Sequence, residues 1–254
     1  MCIRDRYTAA GAGLDQTMPL WSHSGGIEQF LDRLKNLKLR EKIKKETMEG
    51  IDGLPQRWET IVISSVKNPK NRDIIGLSIE EIAKKRNLDI GETVMQLTEE
   101  EQAVVSVIFH NRVEEDIQCF MDHRLSMFGS DGNAVSKNGF YKDGKPHPRF
   151  YGTFPRILGR YIREKKSKLS LEEGIHKMTG FPAWRLGLKQ RGEIKINYNA
   201  DITIFNPDTV IDKATFEHPH QYSEGIEYVI VNGELVVYEG IHTRKKPGKI
   251  LRRS

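Results

Sequence analysis

The sequence has only two cysteines, Cys2 and Cys119, too few and too far apart for a disulfide framework. A stapled secreted scaffold is therefore excluded. No apolar run approaches the length needed to span a bilayer. The amino terminus lacks a continuous apolar core, so no signal peptide is read there. These absences set the expectation of a cytoplasmic protein with no membrane partner. Aromatic residues make up only 8% of the chain and do not interleave with basic ones. No nucleic-acid-binding module is recognisable either, so no nucleic-acid partner is expected. Charge of one sign is only slightly in excess: 40 basic and 35 acidic side chains leave a net +5. Much of that excess sits at Arg244, Lys245, Lys246, Lys249, Arg252 and Arg253, which reads as a solvated tail.

What is present suits a globular chain. Its 254 residues are 37% hydrophobic and 30% charged. After Gly25-Gly26, the residues Ile27, Phe30, Leu31 and Leu34 recur at helical spacing, predicting helix to about Glu49. Ile61–Val66 predicts a short strand. Ser78 with Glu81 makes a capping box, and Asp89 with Glu92 a second helix start. Residues 104–109 read as extended. Val113, Ile117, Phe120 and Met121 make one helical face, and Cys119 in that helix reads as a structural thiol. Thr153 is read as the cap of a helix running to about Lys165. Ser170 with Glu173 caps another, ended by Gly180, and Pro182 opens a short helix that Gly187 stops. From Gly192 onward the pattern is β-rich, with Asn232-Gly233 as a hairpin signal.

One stretch points to chemistry. Residues 125–129, Leu-Ser-Met-Phe-Gly, suit a buried strand, and Ser130-Asp131-Gly132 follows at once. An acid at the carboxyl end of a barrel strand stands where catalytic groups stand. The same three residues also make an ordinary turn, in which Asp bonds its own backbone.

The blocks HPRFYGTFPRILGRYIRE, LSLEEGIHKMTGFPAWRLGL and GEIKINYNADITIFNPDTVIDKATFEHPHQYSEGIEYVIVNGELVV resemble the carboxyl-terminal half of a D-aminoacylase. These are the N-acyl-D-amino-acid deacylases of the metal-dependent amidohydrolase superfamily. The resemblance runs from about Tyr7 to the end of the chain and is specific from Ser130 onward. It implies an α/β fold: the last strands and helices of a partial (β/α)8 amidohydrolase barrel, with an insertion, then a small antiparallel β-sandwich portion. Residues 1-6 match nothing in the family, Arg6 standing where its Pro-Tyr-Thr-Ala motif has proline, and are expected to be a non-native leader. Residues 7-190 are expected to be the carboxyl-terminal part of the barrel, with the insertion at about 26-104. Residues 191-254 are expected to be the β-sandwich portion and a basic tail.

The implied reaction is hydrolysis of an N-acyl-D-amino acid to a carboxylate and a free D-amino acid. A bound zinc would supply the nucleophile by lowering the pKa of its water. By resemblance, Asp131 is the general base and then the general acid, and also a candidate metal contact. Arg149 grips the substrate's α-carboxylate, with Tyr7 helping to hold it. An ordinary Tyr at a frayed terminus is the other reading of Tyr7. The family's remaining zinc ligands are a His-x-His pair, a Cys and two further His, and they have no counterparts in this sequence. His218-Pro219-His220 is read as a decoy, because its central proline fits badly in an interior strand. His110, His123, His147 and His176 do not make ligand spacing, and His147 alone falls near the expected mouth. The chain is therefore expected to be truncated and inactive alone, since one carboxylate cannot hold a catalytic zinc. Two other readings stay open: a non-catalytic interaction module, and a related amidohydrolase acting on cyclic amides. The surroundings of Arg149 argue against the latter, because a cyclic amide need not offer a free carboxylate. The oligomeric state is left open.

Overall fold

The structure, a computed structural model, describes residues 2–4 (backbone), 7–50, 53–139 and 141–252. Met1, Asp5 and Arg6 of the expected leader lie outside the described residues. In chain order the elements are β1 (Cys2–Arg4), β2 (Ala10–Gly13), α1 (Ile27–Lys35), α2 (Leu37–Glu49), β3 (Ile61–Val66), α3 (Ile79–Arg86), α4 (Ile90–Glu100), β4 (Val105–Phe109), α5 (Glu114–Asp122) and β5 (Ser126–Phe128). There follow α6 (Arg149–Arg156), a π-helical stretch (Ile157–Arg163), α7 (Leu171–Met178), α8 (Gly180–Leu186), β6 (Ile202–Phe205), β7 (Ile226–Val231), β8 (Glu234–Tyr238) and β9 (Ile241–His242). They form two compact units, one of residues 1–8, 112–135 and 148–254, the other of residues 9–111 and 136–147.

The second unit is built on a three-stranded antiparallel sheet, β2-β4-β3. Val107 lies opposite Ile63, and a bulge after Ile63 shifts the register. Phe30, Leu34, Ile43, Ile63, Ile82 and Met95 bury their side chains together in its core. The long helical reading breaks at Asn36, whose extended backbone ends α1 and whose side chain accepts from the Leu39 amide. Both starts read at Ser78 and Asp89 are present, the first as a full capping box. Arg40 on α2 reaches Glu92 at 2.5 Å and Glu99 at 2.6 Å on α4. Ile27, expected on the apolar face of α1, is exposed.

In the first unit β1 and β5 pair in parallel, Ile3 opposite Met127. Among the described residues this is the one parallel pairing; the other two sheets are antiparallel. Strand β5 is buried along its length, while Leu125 before it is exposed. On α5 only Ile117 and Met121 are buried; Val113 and Phe120 are not. Cys119 is exposed as well, which corrects its reading as a packed structural thiol. Its position follows from α5 turning the neighbouring Ile117 and Met121 inward.

Helix α6 starts earlier than Thr153. Pro148 sits at its N-cap in helical backbone (φ −59°, ψ −16°), so the first turn forms on proline, and Arg149 is the first helical residue. Thr153 lies inside the helix and donates to the Arg149 carbonyl at 3.2 Å. Pro155 also lies inside and has no N–H for the Tyr151 carbonyl. The Ser223 hydroxyl donates to that carbonyl instead, at 3.1 Å. The last sheet has the order β6-β7-β8-β9. Asn232 (φ 49°) and Gly233 (φ 81°) form the tight turn expected of them. Glu239 (φ 48°) and Gly240 (φ 75°) form a second such turn.

Candidate active site

Strand β5 delivers Asp131 to the site. Its buried residues, Ser126, Met127 and Phe128, hold the strand, and the chain turns immediately after it. The turn is made by Ser130, whose hydroxyl accepts from the Gly132 amide at 3.2 Å. Asp131 adopts φ +48°, a left-handed conformation that Asp tolerates better than most residues. A Cβ on Gly132 would come within 3.1 Å of the Arg149 carbonyl oxygen and of the Phe150 Cα. The loop thus lies directly on the first turn of α6, an approach that glycine permits.

That approach brings Asp131 and Arg149 together. Asp131 Oδ2 lies 2.8 Å from Arg149 Nη2. The two side chains differ in access: Asp131 is 77% exposed and Arg149 11%. Both the turn reading and the chemical reading of Ser130-Asp131-Gly132 are therefore compatible, because Ser130 makes the turn and leaves the Asp131 carboxylate available.

Tyr7 is only 2% exposed, which excludes an ordinary residue at a frayed terminus. Its ring meets Phe216 edge-on at 6.2 Å, and the Arg156 guanidinium lies over it at 4.6 Å. A Cβ on Gly152 would fall 2.9 Å from the Tyr7 hydroxyl and 2.7 Å from the Asp212 Cβ. Asp212 is the residue that sequence reasoning missed. Its carboxylate has no exposed surface and accepts from Arg156 at 3.1 Å and from Arg160 at 2.7 Å. The available signal was the spacing of Arg156 and Arg160, four residues apart, which a single carboxylate can bridge. Beside this pair, burial pushes the Tyr161 phenol well above its ordinary 10.0, and the Arg156 charge only partly counters it.

The histidines are engaged elsewhere. His220 Nδ1 lies 3.0 Å from the Tyr151 hydroxyl, so His218-Pro219-His220 serves packing in this structure. His147 is 3% exposed, with Nε2 3.1 Å from the Ala9 carbonyl oxygen. His123 Nδ1 accepts from the Leu125 amide, and His176 stacks on Phe181. Among the described residues, no group of three or more His, Cys, Asp or Glu could hold a metal ion. The described residues do not fit a zinc site, and the carboxylate expected to touch the metal faces a guanidinium instead.

The model of the amidohydrolase family matches residues 96–237. The chain belongs to the amidohydrolase family. The relatives it matches there are D-aminoacylases and kindred deacylases. It is 37% identical over 245 residues to the N-acyl-D-glutamate deacylase of Alcaligenes xylosoxydans xylosoxydans, covering 96% of this chain and 43% of that protein. It is 37% identical over 182 residues to the D-aminoacylase of the same organism, covering 72% of this chain and 35% of that one. The chain thus spans less than half the length of these relatives. Among solved structures, N-acyl-D-glutamate deacylase from Bordetella bronchiseptica, complexed with zinc and a phosphonate mimic of the tetrahedral intermediate, superposes with a TM-score of 0.65. That likeness has 25% identity and covers 91% of this chain and 38% of the other. For an amidohydrolase of this branch, the comparisons agree with an α/β fold carrying antiparallel sheets. Among the described residues no helix is long and apolar enough to cross a membrane.

Proposed function

We propose that this chain carries the carboxylate-recognition and proton-transfer side of an N-acyl-D-amino-acid deacylase. The observation that carries the reading is the Asp131–Arg149 pair at the end of β5, a base and a carboxylate receptor 2.8 Å apart. Arg149 presents a planar fork that matches an α-carboxylate, and its burial holds that fork in place. Asp131 accepts a proton from the attacking water and returns it to the amide nitrogen, releasing a carboxylate and a free D-amino acid. Tyr7 is assigned a share in holding the carboxylate through its hydroxyl. A bound zinc would supply the activation of the water, and this chain's described residues do not provide its ligands. β1 and β5 are read as neighbouring strands of an amidohydrolase barrel. Residues 26–104, within the unit of residues 9–111 and 136–147, are read as the insertion, and β6–β9 as the β-sandwich portion.

The reading is tested on the 254-residue chain by calorimetry with N-acetyl-D-alanine and N-acetyl-L-alanine. Binding of the D form, lost in Arg149→Gln, is expected. Equal binding of both forms by Arg149→Gln and the unchanged chain overturns the assignment. A Tyr7→Phe variant that keeps its melting temperature but binds several-fold more weakly supports the role of its hydroxyl; unchanged binding removes Tyr7 from the site. The chain alone is expected to release no amine. Release that a chelator abolishes and zinc restores would overturn that expectation.

A further inference from the structure

Tyr7 is held by residues of α6 and of the loop between β6 and β7. Resting on the reading that its hydroxyl helps to hold the substrate carboxylate, we propose that Asp212 and Arg156 are positioning residues for Tyr7. Asp212 fixes the Arg156 guanidinium, and the guanidinium fixes the ring that aims the hydroxyl.

The contacts lead from the buried carboxylate to the site. Asp212 Oδ2 accepts from Arg156 Nη1 at 3.1 Å, and its Oδ1 accepts from Arg160 Nε at 2.7 Å. An arginine side chain has much rotamer freedom, and a buried carboxylate against its planar head removes most of it. The guanidinium held in this way lies over the Tyr7 ring, 4.6 Å from its centroid. Phe216, from the same loop as Asp212, meets the ring edge-on at 6.2 Å. The hydroxyl end is set by Gly152, where a Cβ would come within 2.9 Å of the Tyr7 oxygen. Arg149, Gly152 and Arg156 follow one another on α6 at spacings of three and four, so they share one helix face. Three residues of helix rise by roughly 4.5 Å, so the Tyr7 hydroxyl stands less than one turn from the residue read as the carboxylate receptor. A hydrogen bond to the ligand depends on that placement, because a site holds its ligand only as well as its supporting side chains hold the contacting ones. Arg160 binds the same carboxylate from the next turn, which keeps Asp212 anchored independently of Arg156.

The test compares two arginines that share one carboxylate. N-acetyl-D-alanine is titrated by calorimetry into the unchanged chain and its variants, and the melting temperature of each is measured alongside. Arg156→Gln and Arg160→Gln each remove one ion pair to Asp212, and the first also uncovers the Tyr7 ring. Arg156→Gln is expected to bind about fivefold more weakly, the worth of one misaimed hydrogen bond. Arg160→Gln is expected to melt lower and yet to bind as the unchanged chain does. In a Tyr7→Phe background Arg156→Gln is expected to cost nothing further, because the hydroxyl it misaims is gone. Equal weakening by the two arginine variants overturns the proposal, as does the same loss from Arg156→Gln with and without the Tyr7 hydroxyl; the ion pairs then serve stability alone. Where Arg156→Gln does not fold, Arg156→Lys replaces it, keeping a charge opposite Asp212 without the planar head. The same loss is expected from it, and full binding overturns the proposal. Weak binding by Tyr7→Phe beside full binding by Arg156→Gln overturns the positioning role and leaves the reading of Tyr7 standing. Full binding by Tyr7→Phe overturns both, and no binding by the unchanged chain overturns the whole carboxylate-recognition reading.

Discussion

Asp212 holds the guanidinium groups of Arg156 and Arg160 from a position with no exposed surface. Removing one partner of a buried pair leaves the other charge without compensation, which costs far more than the net worth of the pair. Asp212→Ala is therefore expected to lose about 3 kcal/mol of stability, read from urea unfolding. Gly152 faces Asp212 and the Tyr7 hydroxyl across a space that a methyl group would overfill. Gly152→Ala should cost about 2 kcal/mol, whereas Gly248→Ala, with nothing near its added Cβ, should change the midpoint little. The sequence made Asp131 and Arg149 legible through their motifs but not Asp212. Its neighbours Val210 and Ile211 look like an ordinary apolar stretch, and its partners are about fifty residues away in the chain.

The two capping boxes and the hairpin turn came out as expected, whereas the short helix read from Pro182 begins at Gly180. The Ser78–Glu81 and Ser170–Glu173 boxes are both closed, because each is completed within four residues. Ser78→Ala should cost about 1 kcal/mol, seen as a lower urea midpoint. The Asn232-Gly233 turn is equally local, and Gly233→Ala at φ 81° should lose about 1 kcal/mol. Helix α6 was misread because two local signals competed. Thr153 is a good cap, but Pro148 starts the helix first, and the carbonyl left open by Pro155 is satisfied by Ser223 from a distant loop. Ser223→Ala should weaken that junction by about 1 kcal/mol, since it leaves a main-chain acceptor unsatisfied.

For the whole molecule the alkaline limit has a defined sign. Burial raises the Tyr161 phenol in the folded state above its ordinary 10.0. The stability it contributes is fully present below pH 10.0 and declines as pH rises through the folded value. The melting temperature should begin to fall as pH rises above 10.0, and less steeply in Tyr161→Phe. At the acid end Asp89 runs the other way. The Lys44 ammonium and the Glu92 amide hold it below its ordinary 3.8, so its contribution is present above that pH and fades as pH falls through the folded value. Asp89→Asn should lower the melting temperature at pH 7, and the difference should shrink toward pH 2.

By itself the sequence determined the capped helix starts at Ser78, Asp89 and Ser170, the strand at Ile61–Val66, the antiparallel tail and the family of the chain. Each of these rests on periodicity, caps or a motif contained in a contiguous segment. Only the tertiary structure decided what surrounds each functional side chain. The close approach of Gly132 to α6 paired Asp131 with Arg149, and the docking of the 206–225 loop buried Asp212 against Arg156. Burial also turned Tyr7 from a terminal residue into a packed one. Pairing and burial depend on contacts between segments far apart in the chain, and no local pattern encodes them.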